Sequence, residues 1–338
     1  MEVVLYSIPQ YRAFAESFCF EIAEIRPNDR FYLTDVHCDT PAIRNCEVLL
    51  TLGRLTGQDL SAYRYLTFIQ TLSAGYEQID CEAASAAGIW VSYAPSEQTG
   101  NADAVAEFVI MNILTLSRNL LGALSAATNA PFDPLPVARG LGGKKVCVVG
   151  FGGVGRALLE RLRPFGCDTV VVTRNPKKAG LDFAPHPLED LPEVLRTADI
   201  VVLCIRADNQ NRHLFDGALF RTMKAGALFI NVARGSLVDE MALQTAIETG
   251  HLRAAALDVL ENEPVNSANP LVSLERTLIT PHCAGFTDTM LRGTIAYVDA
   301  VLSTFQNGER PASLVNEPQM PRRPLAQPHL ETGFIGTL

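Results

Sequence analysis

Apolar residues in this chain gather in short runs separated by stretches of helical periodicity, the pattern of parallel strands joined by crossover helices. In the first part the runs are VVLY near the start, CEVLLTL at Cys46–Leu52, YLTFIQTLS at Tyr65–Ser73 and GIWVSYAP at Gly88–Pro95, read as strands of a small α/β unit. Beyond Pro95 the apolar spacing turns helical and predicts one long connecting helix from Asn101 to about Leu124. Its apolar residues, among them Val105, Phe108, Val109, Met111, Ile113 and Leu114, lie on more than one face, which predicts burial beyond what one domain supplies. The Pro- and Gly-rich PFDPLPVARGLGGK reads as a linker. Strand-like runs then recur at VCVV, VVV, ADIVVLCI, ALFINVA, AAALDVL and TLITPH, with helices expected at Leu188–Thr197, Asp216–Met223 and Glu240–Thr249. That alternation predicts a doubly wound parallel sheet. A helix from Thr287 stops at a glycine, and the Pro-rich tail from Pro318 is expected to be loosely ordered.

Length changes the picture to two domains, because 338 residues exceed what one core usually serves, while 48% apolar content is ordinary for a globular chain. A net charge of -9 speaks against nucleic acid or an anionic membrane as partner. The N-terminal MEVVLYSIPQ has no basic region leading into a long apolar stretch, and no run of eighteen apolar residues occurs, so neither export nor a membrane span is expected. Eight cysteines lie scattered without C-x-x-C spacing, and Cys147 and Cys204 sit inside apolar runs. This predicts free thiols in a reducing cytoplasm and no metal site.

Candidate chemistry begins with Val146–Arg174, which reads as strand, glycine-rich turn, helix from Val154 to Leu162 and strand. Gly150, Gly152 and Gly155 form G-x-G-x-x-G, a dinucleotide fingerprint in that context: a tight turn, a close approach to a pyrophosphate, and close helix packing. The helix N-terminus supplies free N–H groups to the phosphates. A site for NAD places Asp or Glu at the end of the second strand, to accept from the ribose 2′-hydroxyl. Here Thr173, Arg174 and Asn175 stand there, followed by Lys177 and Lys178. That charge favours a 2′-phosphate, so NADP(H) is the expected cofactor, with NAD(H) possible.

Three further motifs fall at ends of successive strands, where ligands of open α/β sheets collect. Arg234 follows FINVA, Asp258 and Glu263 lie in ALDVLENEP, and His282 follows TLITP. His37, His186, His213, His251 and His329 occupy ordinary polar or surface positions. Reduction of a 2-keto acid needs a hydride donor, a cation that grips the carboxylate and polarises the carbonyl, and an acid for the new alkoxide. Arg234 suits the cation and His282 the acid. A carboxylate beside an imidazole fixes its tautomer and favours the protonated ring, a role open to Glu263.

In these motifs, and in LSAGYEQID, NADAVAEFVIMNILTLSR and GFGGVG, the chain closely resembles the D-isomer-specific 2-hydroxyacid dehydrogenases from about Cys46 to Asn316. The resemblance implies an α/β fold of two doubly wound parallel-sheet domains, a Rossmann cofactor domain inserted into a flavodoxin-like substrate domain. The expected boundaries are 1–96 with 286–317 for the substrate domain, 97–285 for the dinucleotide-binding domain and 318–338 for the tail. Family roles then fall on Arg234, Glu263 and His282 as catalytic residues. Asp258 would meet the nicotinamide amide; Ala74 and Gly75 would bind the substrate carboxylate, and Arg54 would border the substrate. Gly153, Val154, Cys204, Val232 and Gly285 join the cofactor residues, as does Arg206 near the adenosine. The basic residues after the second cofactor strand are similar to those of NADPH-using glyoxylate and hydroxypyruvate reductases. Glu263 speaks against formate dehydrogenase, and the lack of a regulatory domain after Asn316 against long phosphoglycerate dehydrogenases. The resemblance also implies a homodimer through the cofactor domains. A second class stays open at this point, a dinucleotide-sensing corepressor-like binding protein with little turnover.

Overall fold

Two parallel sheets organise the chain in the computed structural model, which describes residues 1–35, 41–128, 137–176 and 185–326. The chain divides into one unit of Met1–Gly100 with Thr287–Leu338 and a second of Asn101–Phe286.

In the first unit, β1 (Glu2–Ser7), β2 (Arg30–Thr34), β3 (Val48–Leu52), β4 (Phe68–Thr71) and β5 (Trp90–Ser92) pair in the order β2-β1-β3-β4-β5, the flavodoxin-like order. Alternate strand residues serve opposite cores, which is why the runs read as continuously apolar and not as alternating. Val3, Leu5, Val48, Leu50 and Phe68 pack with Phe18, Ile22, Val298, Leu302 and Phe305, whereas Val4, Leu49, Ile69 and Val91 pack with Leu55, Leu60 and Tyr63. Strand β2 was not foreseen. Among the described residues it pairs only with β1, and most of its RFYLT residues stay partly exposed, so no buried run marks it.

The second unit holds β6 (Lys145–Val149), β7 (Asp168–Thr173), β8 (His186–Pro187), β9 (Ile200–Leu203), β10 (Leu228–Asn231), β11 (Ala254–Leu257) and β12 (Thr277–Ile279). Their order, β12-β11-β10-β9-β6-β7-β8, is that of a Rossmann sheet extended by one strand. All pairings are parallel, so every C-terminal strand end lies on one edge. One face packs Val149, Val201, Leu203 and Phe229 against Phe215, Phe220 and Leu243; the other packs Val146, Val148, Val202 and Ile230 against Val109, Ile113, Leu158 and Leu162.

Two expectations are corrected. The connecting helix is not continuous: it runs Asn101–Arg118, breaks at Asn119, and resumes as Leu120–Thr128 at an angle of 55°. Asn119 has φ 48°, the left-handed conformation that asparagine tolerates better than most residues, and apolar spacing carries no mark of such a break. Tail residues 318–326 are held in place, and residues 327–338 of the expected tail lie outside the described residues. The Arg322 amide donates to the Gly88 carbonyl at 2.8 Å, its guanidinium reaches the Tyr63 and Leu66 carbonyls, and the Trp90 indole donates to the Arg323 carbonyl at 2.9 Å. Proline content signalled disorder, but two arginines find carbonyls left over by the neighbouring loops. No single helix among the described residues is long and apolar enough to cross a membrane; the bent pair around Asn119 passes only when both segments are joined.

Phe305 is fully buried and stacks on Phe68 with ring centroids 4.4 Å apart. Phe305→Ala should therefore lower unfolding stability by about 3–5 kcal/mol. A urea melt followed by far-ultraviolet circular dichroism checks this, and a loss below about 1 kcal/mol would deny that ring its anchoring part.

Candidate active site

The glycine turn sits between β6 and the helix Gly153–Leu162. Gly150 has φ 117°, and a Cβ there would lie 2.6 Å from backbone atoms of Cys204 and Ile205. At Gly155 a Cβ would strike the Gly150 carbonyl oxygen at 2.3 Å. Both positions exclude a side chain for reasons internal to the fold. Gly152 differs, because a Cβ there would meet nothing within 4 Å. It is the N-terminal cap of the helix, in extended conformation and exposed, with no side-chain cap on the free N–H groups that follow. An open cradle below uncapped helix amides fits a pyrophosphate, so these residues would hold the phosphates of a dinucleotide. Gly153 and Val154 begin that helix.

Strand β9 lies beside β6, and Cys204 and Arg206 follow its C-terminal end. Cys204 Sγ lies 3.5 Å from the Gly150 carbonyl oxygen, and burial pushes its thiol up to about 12, so it lines the turn as a neutral apolar group. On the other side of β6, β7 ends at Thr173, whose hydroxyl accepts from the Asn175 amide at 3.4 Å. The Arg174 guanidinium bonds to Asp208 and, at 3.2 Å, to the Arg206 carbonyl. Asp208 had not been singled out; an aspartate in a polar turn gives no signal until the turn closes on its partner. Lys177 and Lys178 lie outside the described residues.

At the other end of the same edge, β10, β11 and β12 pair in register, with Asn231 beside Leu257 and Leu257 beside Ile279. Arg234, Asp258 and His282 therefore follow three adjacent strands, spaced about 4.8 Å apart. Asn231, fully buried, accepts from the Ala233 amide and donates to the Arg234 carbonyl, shaping the turn that carries Arg234. The Arg234 Nη1 donates to the Ala233 carbonyl at 2.7 Å. Val232 is bound back to the β9 carbonyl of Leu203.

His282 and Glu263 form the central pair: Nδ1 lies 2.8 Å from Glu263 Oε2, with the side chains 31% and 27% exposed. Glu263 Oε1 also accepts from the Leu260 amide at 3.2 Å. His282 has φ 52°, uncommon for a residue with a Cβ, and its amide donates to the Asp258 carbonyl at 2.8 Å. The Asp258 side chain is buried and accepts from Thr280 Oγ1 at 2.6 Å and from the amides of Cys283 and Ala284 at 2.9 Å. Thr280 thus belongs to the site although no sequence signal marked it. Gly285 packs against Asn101, where a Cβ would meet Oδ1 at 2.1 Å.

The loop bearing Glu263 is held from outside. The Glu261 amide donates to Glu240 Oε1 at 2.6 Å, the Asn269 side chain donates to Glu240 Oε2 at 2.8 Å, and the Glu261 carboxylate pairs with Arg212 and His213. In the first unit, exposed Arg54 follows β3, and the turn at Ala74–Gly75 follows β4. Thr71 Oγ1 donates to the Ser73 carbonyl and Ser73 Oγ to the Gly75 carbonyl, which closes that turn.

Residues 110–284 match the family model described as D-isomer specific 2-hydroxyacid dehydrogenase, NAD binding domain. The chain is 30% identical over 285 residues to a glyoxylate reductase of Thermococcus kodakarensis, covering 81% of this chain and 84% of that protein. It is 31% identical over 268 residues to the chloroplastic/mitochondrial formate dehydrogenase of Arabidopsis thaliana, covering 76% and 68%. Among solved structures, the apo D-lactate dehydrogenase of Escherichia coli is similar with a TM-score of 0.80 at 25% identity, covering 94% of this chain and 100% of that one.

Gly235, next to Arg234, has no room for a side chain: a Cβ would lie 1.9 Å from the Leu260 carbonyl carbon. Gly235→Ala should push the Arg234 turn off the Leu260–Glu263 loop, destabilising the protein by about 1–3 kcal/mol and lowering turnover roughly a hundred-fold. Thermal melts and steady-state kinetics read the two effects. Wild-type turnover in the variant would show that the two loops need not touch.

Proposed function

Since the chain belongs to the D-isomer specific 2-hydroxyacid dehydrogenases, and is thus an NAD(P)-dependent oxidoreductase, we propose that it reduces a small 2-keto acid to the D-2-hydroxy acid. In this reading NADPH is preferred and the substrates are of the glyoxylate and hydroxypyruvate type. The observation that carries it is the His282–Glu263 pair, 2.8 Å apart, on the strand edge that also bears Arg234.

A bound nicotinamide supplies the hydride. The Arg234 guanidinium grips the substrate carboxylate with parallel N–H bonds and polarises the neighbouring carbonyl. His282 gives a proton to the alkoxide oxygen as it forms. With Nδ1–H donating to Glu263, Nε2 is the ring nitrogen that holds the transferable proton. In the reverse direction the same nitrogen takes the hydroxyl proton. Asp258, with Oδ2 accepting only one bond among those described, is assigned to the nicotinamide amide. Arg54 and the Ala74–Gly75 turn are assigned to substrate recognition. Arg174, just beyond the C-terminal end of β7 where neither Thr173 nor Asn175 is a carboxylate, supports the preference for a 2′-phosphate. Identities near 30% to both a glyoxylate reductase and a formate dehydrogenase do not rank substrates, so the pairing of acid, base and cation supports the keto acid.

We place the protein in the reducing cytoplasm, supported by the absence of disulfides among the described cysteines. We also propose a homodimer. The helix Leu120–Thr128 buries none of its residues, and Leu120, Leu121 and Leu124 are about half exposed, as is Met111 before the bend. These exposed apolar side chains support a second copy as their cover.

NADPH and NADH oxidation should be followed with glyoxylate, hydroxypyruvate, pyruvate and phenylpyruvate. Turnover with at least one acid and a higher kcat/KM with NADPH are expected, and His282→Ala should cut turnover by about two to four orders of magnitude. No turnover with any acid, or an unimpaired His282→Ala, would remove the reductase reading. Light scattering tests the assembly: wild type should be a dimer at micromolar concentration, and Leu121→Glu with Leu124→Glu should give a folded monomer. A wild-type monomer would sink the dimer.

A further inference from the structure

The turn after β9 is built around one carboxylate. Asn211, buried, donates to the Arg206 carbonyl at 2.9 Å and accepts from the Asp208 amide at 2.8 Å. Asp208 Oδ1 accepts from the Gln210 amide at 2.9 Å, which leaves Oδ2 for the Arg174 guanidinium. The position of the Asp208 carboxylate is therefore set by its own turn. Arg174, on the end of β7, reaches across to it and to the Arg206 carbonyl. Strand β6 lies between β7 and β9, so this ion pair spans the end of the strand that carries the glycine turn. The Arg174 guanidinium, with the Gln210 amide, holds the Asp208 carboxyl below the usual carboxylate range, so the carboxylate is charged near neutral pH.

We propose that Asp208 is a specificity-determining residue for the cofactor: its fixed negative charge occupies Arg174, so a 2′-phosphate must share that cation, and NADPH is favoured over NADH less than Arg174 alone would dictate. The inference rests on the reading that a dinucleotide lies on the β6 turn with its adenosine end toward β7. A carboxylate within hydrogen-bond reach of the guanidinium lies close to any phosphate on the other side of that guanidinium, and like charges at such range repel even in partly solvated surroundings. The pair is a little over one-third exposed, so the effect falls with added salt. For the same reason the turn has a consequence for NADH: with no 2′-phosphate beside Arg174 to repel, Asp208 leaves binding of that cofactor nearly unchanged. Replacement of Asp208 by Asn keeps an oxygen for the Gln210 amide and removes only the charge.

The test is isothermal titration calorimetry of the purified full chain with NADPH, NADH and adenosine 2′,5′-bisphosphate, on wild type, Asp208→Asn, Arg174→Ala and the double variant, at low and high salt. Asp208→Asn is expected to tighten NADPH and the bisphosphate about three- to ten-fold, to leave NADH within about two-fold, and to lose most of its gain at high salt. Arg174→Ala should weaken NADPH about ten-fold or more, and in that background Asp208→Asn should gain less. Unchanged or weaker NADPH binding in a folded Asp208→Asn, checked by circular dichroism, overturns the inference while an Arg174→Ala effect keeps the cofactor placement. If Arg174→Ala leaves NADPH binding unchanged, the placement at β7 fails and the inference fails with it.

Discussion

A buried carboxylate at the end of β11 organises the chemical end of this molecule. Asp258 accepts from the Thr280 hydroxyl and from two successive amides, and its own carbonyl takes the His282 amide. Burying an acidic group costs several kcal/mol unless hydrogen bonds replace its water, and here those bonds come from the loop that bears the histidine. The loop cannot relax without stranding the carboxylate. This is why His282 can be held at φ 52°, a conformation that its own side chain does not favour.

Close backbone packing transmits that order along the edge. Gly235 lets the Arg234 turn lie directly on the Leu260–Glu261 backbone, and Glu240 fastens Glu261 from the far side. Glu263 then meets His282 from a loop fixed at both ends, since Asn269 also binds Glu240. At the opposite end Gly150 and Gly155 bring the turn against β9 and the helix against the turn. Loops packed against one another in this way cannot shift one at a time, so Arg234, Glu263 and His282 keep a common geometry.

Electrostatics divide the edge into two parts. Around His282 a carboxylate and an imidazole form a matched pair, suited to moving one proton in either direction. Around Arg174 the guanidinium is paired with the Asp208 carboxylate, so the cationic character of that end is weaker than Arg174 alone implies. A basic residue at a strand end attracts phosphate only by the charge left after its neighbours are counted.

Hydrophobic periodicity marked the central strands of both parallel sheets, because buried central strands must be apolar on both faces and the intervening helices must bury one. It also located Arg234, Asp258 and His282, since a polar residue directly after an apolar run falls at a strand end. What it could not reach were features defined by partners far along the chain. Edge strand β2 lacks a buried run, the helix break rests on the backbone of Asn119, and the tail is held where the Arg322 guanidinium donates to the Tyr63 and Leu66 carbonyls and the Arg323 carbonyl accepts from the Trp90 indole, partners more than 230 residues away. Thr280, Gly235 and Asp208 look like ordinary loop residues until the fold brings Asp258, Leu260 and Arg174 to them. Local pattern reports whether a residue prefers water or the core. Which groups meet is decided by the order in which strands pair, and only the tertiary structure carries that.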